Sequence, residues 1–229
     1  MRAPAIFVPG GRPPGVERFI DRARGAARQP AEPKARFYGS DGRELKRPGI
    51  QGFACLTEKA FEHQGRLVYF EAAAFVDTLH DGRSKSVLFD HDASRQYGGS
   101  SAGLVFANTV RGLAFRMPIA STTDGRAVFD NVKDGQRACV SVGVAVEDFK
   151  TQNIGGYDVD VIARATLKEI SLCRQGAVPE TFATIVDLED EEPDLWVAAR
   201  APRFAAMKTA SNVDARVKRI TEALARLKA

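Results

Sequence analysis

The sequence predicts a mainly β fold with a few short helices, an α+β arrangement whose core lies between two charged flanks. Three observations predict it. β-Branched and aromatic runs of strand length recur between Phe37 and Asp187, separated by Gly, Pro and small polar clusters. Helical spacing inside that region is confined to short stretches around Phe75–Leu79 and Val128–Val132. Arginine gathers near the N-terminus and again at the C-terminus, whereas 187–194 is almost wholly acidic.

In chain order, residues 1–35 alternate Pro, Gly, Arg and Ala and hold too few apolar side chains to offset the entropy of ordering, so they read as a mobile basic arm. Strands are expected at Arg36–Tyr38, Ile50–Leu56 and Arg66–Glu71, followed by a helical turn over Ala72–Leu79 that points Phe75 and Leu79 inward. The run Ser86–Phe89 delivers His91 to the place where the backbone leaves a strand, and Asp92-Ala93-Ser94 reads as the turn that follows. Ala102–Ile119 reads as a hairpin with a loop of several residues between Asn108 and Gly112. Ser121–Gly125 supplies capping groups for a short helix carrying Val128, Phe129 and Val132 and stopped at Gly135. Strands are then expected at Gln136–Val146, Asp158–Arg164, Thr166–Cys173 and Phe182–Asp187. The core therefore spans 36–187, an acidic and then Ala/Arg/Pro linker spans 188–210, and an amphipathic helix spans 211–229. The apolar positions of that helix, Val213, Val217, Ile220, Leu224 and Leu227, have the seam spacing of a coiled coil. The stripe suits self-association, or equally a helix lying back on its own domain.

Composition narrows the function. The 229 residues suffice for one sizeable core with appendages. No apolar run approaches a membrane span, and Pro4 and Pro9 interrupt the only N-terminal apolar stretch, so neither a membrane segment nor a secretory signal is expected and the protein is expected inside the cell. Three cysteines, Cys55, Cys139 and Cys173, lack Cys-x-x-Cys spacing, which argues against a disulfide framework and against a structural zinc site. The net charge of +4 is segregated into tails without interleaved aromatics, so a nucleic-acid-binding face is not expected.

Three residues carry candidate chemistry. His91 is suited to proton transfer near neutral pH, although a histidine at a strand end is often bland. Ser141 sits among Val, Cys and Gly where a hydrophobe is usual, and is either a hydrogen-bonded core serine or a nucleophile, with Gly143 leaving room beside it for a substrate backbone. Glu169 shares a strand face with Ser171 and Cys173, opposite Ile170 and Leu172. Its carboxylate wants a donor, either a histidine ring N–H or a neighbouring Lys or Arg. Cys139 or Cys173 paired with His91 is a further reading, that of a cysteine hydrolase.

The succession Tyr69–Leu79, Val87–Asp92, Gly112–Phe115, Val140–Val144 and Leu167–Leu172 resembles the prohead proteases of tailed phages, over about residues 35–187. That family is related in fold to the herpesvirus assemblins, β-barrel serine proteases surrounded by helices. The resemblance implies that the family's histidine falls on His91, its nucleophilic serine, in a Ser-x-Gly context, on Ser141, and its third member, acidic in some of these enzymes and a second histidine in others, on Glu169. It implies Arg174, with Gly143, as a substrate-binding and oxyanion-side candidate. The implied activity is that of a serine endopeptidase acting on major capsid protein, scaffold and itself, inside the assembling prohead in the cytoplasm of a bacterial host. No metal and no organic cofactor are implied. The alternative is a non-catalytic assembly or scaffold protein that keeps the fold.

Overall fold

The computed structural model describes residues 35–178, 180–190, 220–222 and 225, all within a compact unit that begins at Ala35. The expected N-terminal arm, the acidic linker and the C-terminal helix fall for the most part outside these residues. The described part is mainly β: β1 (Pro48–Leu56), β2 (Ala60–His63), β3 (Arg66–Phe70), β4 (Ser86–Phe89), β5 (Asp92–Gly99), β6 (Val105–Thr109), β7 (Gly112–Pro118), helix α1 (Thr123–Lys133), β8 (Cys139–Ile154), β9 (Tyr157–Cys173) and β10 (Phe182–Asp187). Short 3-10 turns cover Asp77–Leu79 and Ser100–Ala102. No helix among the described residues is long and apolar enough to cross a membrane.

The strands form two sheets. One is antiparallel in the order β10-β1-β7-β6. In the other, β9 is the spine: β8 pairs along one edge for nearly its whole length, and β3 and β4 pair in parallel with separate segments of the opposite edge. Hairpin partners β2 and β5 extend that sheet on either side. A common core joins the sheets, with Ile50 and Phe53 from β1, Phe115 from β7, Phe89 from β4, Leu167, Ile170 and Leu172 from β9, and Phe129 from α1. Helix α1 forms where expected because the Thr122 hydroxyl accepts the Gly125 N–H, and it turns Val128, Phe129 and Val132 into that core. A second cluster of Ala60, Tyr69, Ile154, Val159 and Val161 takes in Ile220, which is fully buried. At that position the C-terminal stripe lies on its own domain.

Several expectations need correcting. The turn after β4 is Asp90-His91, not Asp92–Ser94. Phe89 pairs with Asp92, and Asp92 opens the exposed, polar strand β5. The chain instead uses positive φ at two non-glycine residues, 52° at Asp90 and 60° at His91, the requirement of a type I′ hairpin turn usually met by Asn-Gly. The β6–β7 loop is the dipeptide Val110-Arg111, with Thr109 opposite Gly112, and is not a longer loop. The two strands expected between Asp158 and Cys173 are one continuous strand, because Ala165 between them is itself buried in the core. Strand β2, short and half polar, had no sequence signal.

Candidate active site

The β8–β9 ladder builds the floor of the site. Ser141 stands opposite Ser171 and Gly143 opposite Glu169. The alternate residues Val140, Ile170 and Leu172 are fully buried in the core. Alternation therefore sets a polar face directly on an apolar one.

The Asp90-His91 turn docks onto that polar face. The Asp90 N–H donates to the Leu172 carbonyl at 3.1 Å, and the His91 N–H donates to the Ser171 hydroxyl at 2.7 Å. The His91 Nδ1 lies 2.7 Å from Glu169 Oε1. With the carboxylate as acceptor Nδ1 is the donor, and in the neutral imidazole Nε2 then keeps its lone pair. Glu169 is largely buried, and its Oε2 has no hydrogen-bond partner, so the imidazole is the principal polar neighbour of the carboxylate. The Asp90 carboxylate points away from the ring to Arg137, whose Nε and Nη2 donate at 2.9 and 2.8 Å, and to Arg95 at 3.2 Å. The Arg137 hydrogen bonds hold the Asp90 carboxyl below the ordinary carboxylate range, against the opposing effect of its partial burial.

His91, Ser141 and Gly143 line one end of a cleft of about 1000 Å³. Its walls are mostly apolar, among them Phe61, Val68, Phe70, Val144, Phe149 and Ile162, with Arg66 and Asp160 at the far end. Arg66 grips Asp160 through Nε and Nη2, each at 2.6 Å, and the Thr151 hydroxyl adds a third bond at 2.6 Å. The Arg66 hydrogen bond holds the Asp160 carboxyl low. Among the described residues β8 pairs with β9 alone, so the outer edge of β8 beyond Ser141 is unpaired.

Ser141 is buried but borders the cleft, and no hydrogen bond joins it to His91. Gly143 leaves less room than expected: a Cβ there would collide with Oε1, Cγ and Cδ of Glu169, so the space the glycine opens is filled by the carboxylate. Arg174 is exposed and does not border the cleft, whereas the following residues Gln175, Gly176, Ala177 and Val178 do. That turn is lashed to β8 just before Ser141. The Thr181 hydroxyl donates to the Val140 carbonyl at 2.5 Å, and a Cβ at Gly176 would come within 2.6 Å of the same oxygen. Neither Cys139 nor Cys173 borders the cleft. Burial, with Cys139 nearby, pushes the Cys173 thiol up to about 11, which keeps it protonated at neutral pH and speaks against Cys173 as a nucleophile.

A family model described as caudovirus prohead serine protease matches residues 44–192. The chain belongs to that family. Membership brings a protease function at the level of the family, with capsid proteins as the substrate class and the assembling phage prohead as the place of action. Among solved structures the chain is similar to the crystal structure of KSHV protease in complex with a hexapeptide phosphonate inhibitor, at 10% identity and a TM-score of 0.38, covering 79% of this chain and 77% of that one. No curated protein matches it.

Ser171, Arg137 and Thr181 were not singled out in the sequence. Ser171 alone had a usable signal, since a serine on the strand face of Glu169 needs a partner once buried. The contacts of Arg137 and Thr181 reach across 47 and 41 residues, and no local pattern encodes them.

Proposed function

We propose that this member of the prohead protease family is a serine endopeptidase in which Ser141 is the nucleophile, His91 the general base and Glu169 the residue that orients it, and that it cleaves major capsid protein, scaffold and its own flanks during prohead maturation. The observation that carries the reading is the 2.7 Å contact of His91 Nδ1 with Glu169 Oε1, with His91 and Ser141 lining the same cleft. Nε2 takes the Ser141 proton as Oγ attacks the scissile carbonyl, and returns it to the leaving amine. Glu169 stabilises the imidazolium formed between these steps. The peptide enters extended along the open edge of β8, and the main-chain N–H of Gly176, in the turn that borders the cleft beside Ser141, faces the developing oxyanion, a contribution of about 3 kcal/mol per donor. Arg174 acts at most through the conformation of that turn. Ser141 and His91 are not hydrogen-bonded to each other, and the proposed step requires that bond to form as the peptide binds.

We further read the two sheets as an assemblin-like barrel, supported by the Ala183 N–H bond to the Ala138 carbonyl at 2.8 Å, which ties the β10 sheet to the start of β8. Co-expression with the major capsid protein tests the function. Wild type is expected to yield cleaved capsid protein, and Ser141→Ala and His91→Ala uncleaved protein in assembled shells. Cleavage persisting in Ser141→Ala would overturn the proposal.

A further inference from the structure

We infer that Arg137 is a positioning residue, setting the distance between the turn that carries His91 and the strand that carries Ser141; this rests on the protease reading above. Left-handed φ at two consecutive non-glycine residues is unfavourable by itself, so the Asp90-His91 turn keeps its shape only through what holds it. The main-chain bonds to Leu172 and Ser171 fasten it to β9. Arg137 fastens it to the chain that enters β8, four residues before Ser141.

The attachment is built on several sides. Two guanidinium nitrogens reach the same Asp90 oxygen, Nη1 donates to Asn131 Oδ1 at 2.8 Å, and the Arg137 N–H donates to the Asn131 carbonyl at 2.9 Å. The guanidinium carbon lies 5.2 Å from the ring centre of Phe89, the last residue of β4. The side chain is 17% exposed, against 37% for Arg95, whose contact with Asp90 is single and longer. An exposed ion pair contributes little to stability, but a planar guanidinium held through three nitrogens by two partners and packed on one face restricts geometry. Helix α1, through Asn131, thereby holds base and nucleophile in one frame. Lysine, with one charged nitrogen, could keep the Asp90 contact but not the Asn131 contact at the same time.

The test uses the full chain co-assembled with its capsid protein and a fluorescent fluorophosphonate, which reports nucleophile activation through kinact and probe binding through KI. Arg137→Gln and Asp90→Gly, the latter removing the acceptor while tolerating the left-handed φ at that position, are each expected to lower kinact about 100-fold, as a misplacement near 1 Å does, with KI unchanged. Arg137→Lys is expected to recover part of the loss. The double variant Arg137→Gln/Asp90→Gly is expected to be no worse than the lower single variant, because both changes break one link. Wild-type kinact in Arg137→Gln, or multiplying losses in the double variant, would overturn the inference while labelled wild type and unlabelled Ser141→Ala leave the protease reading standing. An unlabelled wild type would overturn both. Should Arg137→Gln fail to fold, Asp90→Gly, which leaves Arg137 bonded to Asn131, decides alone.

Discussion

At the scale of single residues, the site depends on how Glu169 is placed. Gly143 stands opposite it, and the atoms that an added methyl group would strike are the far end of a flexible side chain. Gly143→Ala therefore leaves thermal stability nearly unchanged and moves the carboxylate off Nδ1. A fall in kcat of about 100-fold in a capsid-cleavage assay is expected. Glu169→Gln is a sharper test of the charge, because the amide keeps the shape but no longer stabilises an imidazolium or enforces the tautomer. Its kcat is expected to fall by about 10³- to 10⁴-fold, with KM little altered. Both residues were legible in the sequence because each breaks a local rule: a glycine and a carboxylate stand in strands otherwise fit for a core. What Gly143 makes room for was not legible, since it depends on the register of β8 against β9.

At the scale of elements, the β4–β5 hairpin converts a disfavoured turn into a presentation device. His91 lies beyond the strand, at the second turn position, and its main-chain N–H as well as its ring is held by β9. Removing the hydroxyl in Ser171→Ala leaves that half-buried N–H without its acceptor. A loss of about 1 kcal/mol in urea unfolding is expected, together with a fall in kcat larger than any change in KM. An unchanged unfolding midpoint would show that the turn is held without this bond. The short helix was readable because cap, apolar stripe and stop all agree, with Thr122, Phe129 and Gly135 in their usual places. The hairpin was not, because Asp-His is a rare occupant of a type I′ turn and β5 after it is polar and exposed.

At the scale of the whole molecule, the two sheets share one core, and the last strand is secured at Asp187. Its carboxylate accepts the N–H groups of Lys46 at 2.8 Å, Arg47 at 3.0 Å and Glu189 at 3.1 Å, joining the segment before β1 to the end of β10. Burial alone would push this carboxyl up, but those donors and the charge of Arg43 outweigh it and hold it below the ordinary carboxylate range. A lowered native pKa gives stability that is fully present above the unfolded carboxylate value, about 4, and is lost as pH falls through the native value. Melting temperature is therefore expected to be flat from neutral pH down to about 5 and to drop below about 4. Asp187→Asn should be less stable by about 2 kcal/mol at neutral pH and show a shallower acid limb. The class of the fold and the last strand were legible because alternation and turn residues are local. The spine role of β9 was not, because it follows from pairings with β3, β4 and β8 that lie far apart in sequence.

The central claim is that His91 activates Ser141. The most direct measurement is peptide mapping by mass spectrometry after treating capsid-assembled protein with a fluorophosphonate. One adduct, on Ser141, is expected in the wild type and none in His91→Ala. An adduct on another residue, or labelling of Ser141 that survives the loss of His91, would contradict the account.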